Sequence, residues 1–139
     1  MRVMMIVKAT KKSEAGELPS QELLASMGRY NQELMDAGVL IDLAGLKPTS
    51  KGARIRFSGG KTLVIDGPFA ETRELVAGFW IIRVKSKEEA IEWARRIPPP
   101  HGDEETEVEL RPFYELEDFA PGAAVEQARG LEEKIARKK

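Results

Sequence analysis

Asp66-Gly67-Pro68-Phe69 separates two apolar runs, Thr62-Leu63-Val64-Ile65 and Gly78-Phe79-Trp80-Ile81-Ile82-Arg83-Val84. Both runs are rich in the β-branched and aromatic residues that strands favour. Asp-Gly-Pro between them forces the backbone to turn. The Asp66 carboxylate is placed to accept from amides just downstream. Pro68 presets φ near −65° and suits the first position of a helical turn. The chain is therefore expected to leave a strand at Ile65, make one acidic turn through Glu71 and Glu74, and re-enter a sheet at Gly78.

The rest of the chain can be built around that turn. Val3-Met4-Met5-Ile6-Val7 is apolar at every position, which predicts a central strand covered on both faces. Thr10 to Ser20 is polar, with Gly16 and Pro19, and reads as a loop. Ser20 is placed to cap a helix whose apolar stripe is Leu23, Met27, Tyr30 and Leu34, ended by Gly38. Val39 to Leu46 reads as a second strand. Gly52 to Phe57 alternates, and Ser58-Gly59-Gly60-Lys61 is a hairpin turn leading back through Leu63 to Ile65. Ser86-Lys87-Glu88-Glu89 is a capping box for a helix carrying Ala90, Ile91, Ala94 and Ile97, ended by Pro98-Pro99-Pro100. Val108, Leu110 and Pro112 alternate with charged residues in a last strand, and Pro112 places its end at a sheet edge. The order is strand, helix, strand, inserted hairpin, strand, helix, strand. That is a ferredoxin-like α+β pattern, β-α-β-β-α-β with an inserted hairpin. We assign residues 1–119 to this domain and 120–139 to a helical tail with the stripe Ala124, Ala128, Leu131 and Ile135.

Composition narrows the function classes. The 139 residues suit one domain. A formal charge of −1 gives no global pull toward nucleic acid or anionic lipid. Cysteine is absent, which removes disulfides, thiolate catalysis and Cys-ligated metals. No apolar run approaches the ~20 residues of a membrane span, and the expected address is the cytoplasm. Asn31 is the sole Asn beside three Gln, a scarcity of amides associated with heat adaptation. Phosphate-binding glycine loops and nucleophile elbows are missing.

The turn also carries a resemblance. Asp66-Gly67-Pro68-Phe69, followed by Glu71, Glu74 and Gly78-Phe79, resembles the signature of DGPF-motif proteins in the YCII-related family. Val7-Lys8-Ala9-Thr10 and Val108-Glu109-Leu110-Arg111-Pro112 extend the likeness from Met1 to about Phe119. The resemblance implies a ferredoxin-like fold and a homodimer of the dimeric α+β barrel type, in which two sheets meet. It implies no settled activity. Enzyme-like relatives have a proposed His and Asp pair with the His on the first helix, whereas Ser20 to Ala37 here holds no His. Family members are often linked to sigma factors of transcription initiation.

Three constellations carry potential chemistry. Asp66 with Glu71 and Glu74 offers paired carboxylates for acid–base work; the competing reading is a capped turn with acids where a helix dipole favours them. His101, the only imidazole, is the default general base; the competing reading is a solvated loop His beside Asp103, Glu104 and Glu105. Lys47, Lys51, Arg54, Arg56 and Lys61 form a basic block able to grip an anion. With only Phe57 interleaved, nucleic-acid binding is disfavoured, against a charge-protected hairpin edge or pairing with the acidic stretch Asp103 to Asp118. Phe79, Trp80 and Trp93 read as core and interface residues. The expected function is a homodimer binding a small ligand, anionic if the basic residues hold it, in a cleft near the turn. Asp66 and His101 would be the acid–base pair there, with Lys8, Arg54 and Glu71 as ligand-binding residues. No cofactor and no metal are expected. The alternative is a non-catalytic accessory protein associated with sigma factors.

Overall fold

The structure is a computed structural model that describes residues 1–138 and, at Arg73, the backbone only. Lys139, the last residue of the expected tail, lies outside the described residues. Among the described residues six strands and four α-helices follow in the order β1 (Arg2–Lys8), α1 (Lys11–Glu14), α2 (Gln21–Asp36), β2 (Leu40–Gly45), β3 (Ala53–Ser58), β4 (Lys61–Asp66), β5 (Val76–Arg83), α3 (Lys87–Arg95), β6 (Val108–Pro112) and α4 (Ala123–Lys138).

β1, β2, β5 and β6 form one antiparallel sheet in the order β2-β5-β1-β6, while among the described residues β3 and β4 pair only with each other. Leaving the hairpin aside, that order is compatible with the ferredoxin-like pattern expected from the sequence. Alternation then decides which side chains are covered. Val3, Met5 and Val7 of β1 are buried, as are Trp80 and Ile82 of β5. They form the core with Tyr30 and Leu34 of α2 and Ala90 of α3. Met5, Leu34, Ile82 and Val3 are the largest wholly buried side chains. Each removes enough apolar surface from water to contribute about 2 kcal/mol. The opposite face carries Met4, Ile6, Phe79 and Ile81, all half-buried.

Local signals set the element ends. Ser20 Oγ accepts from the Leu23 amide at 3.1 Å, and Ser86 Oγ accepts from the Glu89 amide at 3.2 Å. Gly38 follows α2 at φ +74, where a side chain would be strained. Gly59 and Gly60, at φ +59 and +75, make the two-residue hairpin turn. The expected loop from Thr10 to Ser20 contains a helical turn, α1. Its cap is reciprocal: Ser13 N donates to Thr10 Oγ1 at 3.2 Å, and Thr10 N donates to Ser13 Oγ at 2.9 Å.

The turn at Asp66 is built differently from the expectation. The Phe69 amide donates to Thr49 Oγ1 at 3.0 Å, so Thr49, not Asp66, holds the turn. The helical turn begins at Thr72 rather than at Pro68. Thr49 is itself fixed by Glu14, which accepts from the Thr49 amide at 3.1 Å and from its hydroxyl at 2.6 Å. Gly67 packs directly on this loop: a Cβ at Gly67 would lie 1.8 Å from the Thr49 carbonyl oxygen.

Ion pairs finish the surface. Arg2 reaches Glu115 through two hydrogen bonds of 3.0 Å and lies 4.7 Å over the Phe113 ring. Those hydrogen bonds hold the Glu115 carboxyl below the usual carboxylate range. Arg129 of α4 reaches Glu117 at 3.5 Å, but Leu131 and Ile135 are more than half exposed. In the hairpin Ile55, Phe57, Leu63 and Val64 are exposed as well.

Candidate functional site

A half-open cleft of about 580 Å3 lies over the helix side of the sheet, at the carboxyl end of β1. That volume is in the range of small-molecule sites. Four segments enclose it. Leu23, Leu24, Met27 and Asn31 come from α2, and Leu43 to Pro48 from β2 and the loop beyond. Lys12, Ser13 and Gly16 to Pro19 come from α1 and its loop, and Pro100, His101 and Glu104 from the segment after α3. Trp80 and Val7 line the sheet side.

Glycines make the room. Val7, Gly78 and Gly45 share one rung of the ladder on the helix-facing side. The two glycines place no side chain where a core residue would stand. Gly78 approaches its neighbour closely, since a Cβ there would sit 2.9 Å from the Ala44 carbonyl oxygen. At Gly45 a Cβ would meet nothing within 4 Å.

The polar groups of the cleft are oriented by identifiable partners. His101 Nε2 lies 2.8 Å from the Lys8 carbonyl oxygen. A carbonyl can only accept, so Nε2 carries a proton and Nδ1 of the neutral ring is left as an acceptor. Thr106 Oγ1 donates to the same carbonyl at 3.0 Å. Glu104 accepts from the Thr10 hydroxyl at 2.7 Å, tying this segment to the cap of α1. On the α2 side, Trp80 Nε1 donates to Asn31 Oδ1 at 2.7 Å. Trp80 is positioned by an edge-to-face contact with Tyr30, ring centroids 5.5 Å apart. The Tyr30 hydroxyl donates to the Trp93 carbonyl at 2.7 Å, and burial pushes its pKa well above the ordinary value.

The expected site residues fall into separate groups. His101 lines the cleft and meets Lys8, but through the Lys8 backbone. The Lys8 ammonium pairs with Glu109 at 3.1 Å, which holds the Glu109 carboxyl below its usual range. Arg54 and Glu71 meet each other at 3.9 Å, with the Arg54 guanidinium 3.8 Å over the Phe69 ring. Asp66 stands opposite Ala53 in the hairpin ladder and is not among the residues lining the cleft. Among the described residues no three acidic or His side chains gather as metal ligands would, and no helix is long and apolar enough to cross a membrane. Sequence reasoning missed Asn31, Gly45 and Gly78. A lone Asn one turn beyond Met27, beside the apolar stripe, was the available signal.

The fold and the cleft define a mixed α+β domain with a cleft of small-molecule size between a helix and one face of an antiparallel sheet. The chain belongs to the YCII-related family: the YCII-related domain matches residues 1–114. A curated relative is an uncharacterised protein of Rhizobium meliloti (strain 1021), 39% identical over 77 residues. That match covers 55% of this chain and 62% of the relative, so the chain spans under two thirds of the relative's length.

Proposed function

We propose that the protein binds a small, largely apolar molecule in the cleft over Gly45 and Gly78, with His101 as the acid–base group at its mouth. The cleft itself carries this reading: apolar walls around a few oriented polar groups are what small-molecule recognition requires. Nδ1 of His101 is the proton acceptor, and the Lys8 carbonyl does the orienting that the sequence reading gave to Asp66. Lys12 and Lys47 at the rim suit a ligand with negative charge at its outer end. Arg54, Glu71 and Asp66 serve the hairpin base in this reading. The cleft supports ligand binding over the accessory role that the sequence left as its alternative.

Filling the cleft tests the idea. Gly45→Leu projects a side chain into open space without a left-handed backbone to strain. Benzylacetone, followed by ligand-observed NMR, is expected to bind the wild type and to bind Gly45→Leu at least tenfold more weakly. Equal binding to both would remove the cleft as the site.

The reading includes a homodimer. The half-buried sheet face with Met4, Ile6, Phe79 and Ile81, the exposed hairpin residues and the bare Leu131–Ile135 stripe all favour cover by a second copy. Leaving them wet forgoes on the order of several kcal/mol of burial. Sedimentation at micromolar concentration is expected to give the mass of two chains; the mass of one chain would end the dimer proposal.

A further inference from the structure

Asn31 has a position that packing alone does not explain. It is half-buried, lines the cleft, and its Oδ1 is claimed by the indole N–H of the buried Trp80. An indole nitrogen only donates, so the amide has one orientation, with its NH2 turned away from Trp80. Among the described residues that NH2 donates no hydrogen bond. Among the described residues no wholly buried side-chain nitrogen or oxygen lacks a partner, so the NH2 is reachable from outside. Asn31 also lines the cleft, which is the nearest concave space for that NH2 to serve.

The sheet register sets its place. Trp80 shares a rung with Met5 and Leu43, whereas His101 is anchored at Lys8. Three residues of strand separate the two levels, roughly 10 Å. The wall between is apolar: Leu23, Met27 and Leu43 line it, with the bare backbone of Gly45 and Gly78. The Asn31 end abuts the buried Trp80 and is taken as the inner end, so a preset donor sits there and an acceptor, His101 Nδ1, at the other.

Building on the cleft reading above, we propose that Asn31 is the specificity-determining residue. The ligand class is an apolar molecule about 10 Å long whose inner end carries an acceptor oxygen, a ketone or carboxylate, bound by the Asn31 NH2. An acceptor at that depth satisfies a donor otherwise left to cleft water, whereas a purely apolar end strands it. Trp80 is the positioning residue that fixes the amide.

Three probes of similar size separate the outcomes: benzylacetone, phenylbutyrate and propylbenzene. Two variants accompany the wild type. Asn31→Asp keeps an oxygen for the Trp80 indole but replaces the NH2 donor with a second carboxylate oxygen. Gly45→Leu blocks the cleft. The wild type is expected to prefer benzylacetone to propylbenzene by about tenfold, and Asn31→Asp to lose that preference while still binding propylbenzene. A comparable preference for phenylbutyrate that Asn31→Asp also loses would identify the head as a carboxylate; its absence, or its survival in Asn31→Asp, would identify a neutral carbonyl at Asn31. Equal binding of all three probes, still blocked by Gly45→Leu, would overturn the role of Asn31 and leave the cleft reading standing. An unchanged preference in Asn31→Asp would likewise make Asn31 a partner of Trp80 only. Binding that Gly45→Leu does not block, or no binding of any probe to the wild type, would overturn both readings.

Discussion

Gly67→Ala is expected to lower stability by about 3 kcal/mol, and the melting temperature by roughly 10 °C. The cause is contact rather than backbone conformation. A Cβ at Gly67 would lie 1.8 Å from the carbonyl oxygen and 2.6 Å from the carbonyl carbon of Thr49. Both atoms are backbone, so neither can rotate away as a side chain would. The Thr49 loop must move, and with it the hydroxyl that holds the Phe69 amide. Asp66→Ala is the control. Among the described residues no hydrogen bond of its carboxylate supports the turn, and its effect should stay within about 0.5 kcal/mol. Thermal melts of the two variants decide: equal melting temperatures would mean that close packing at Gly67 does not organise this turn.

Thr49→Val should cost about 2 kcal/mol. Its hydroxyl donates to the Glu14 carboxylate at 2.6 Å and accepts from the Phe69 amide at 3.0 Å. Valine keeps the shape and leaves both partners without it, one of them a charged carboxylate. Because Thr49 is also what Gly67 packs against, the double variant should lose less than the sum of the two single losses. Chemical denaturation of the four proteins measures that coupling. Strict additivity would mean that the two contacts act independently.

What could be read in advance divides by reach along the chain. Ser20, Ser86, Gly38 and the Gly59-Gly60 pair act on residues within four positions of themselves, so their signals were local and the elements they bound emerged as expected. The mixed α+β class followed from alternation together with that element order. The site depends on pairs far apart. Glu14 and Thr49 are 35 residues apart, Asn31 and Trp80 49, and His101 and Lys8 93. No local pattern announces such a partner. Gly45 illustrates the limit: next to Leu46 it reads as the end of a strand, and only beside Gly78 does it become the floor of a cleft. The same holds for Asp66. Its sequence neighbours favour a cap, but Thr49 arrives from across the turn and takes the amide first.

The central place of β1 has a consequence for how the protein is made. Among the described residues β1 pairs only with β5 and β6, which begin at Val76 and Val108. At about 5–20 residues per second, Val3, Met5 and Val7 wait several seconds for their first partner during synthesis. Closing a loop of some 70 residues then costs about 4 kcal/mol of chain entropy before the ladder returns anything. The β3–β4 hairpin, by contrast, closes in microseconds through Gly59 and Gly60. The nascent chain therefore carries a hairpin that closes locally and early, and an apolar strand with two open edges. Chaperone capture and misassembly are most probable in that interval, and crowding on the ribosome bears on β1 more than on any other strand.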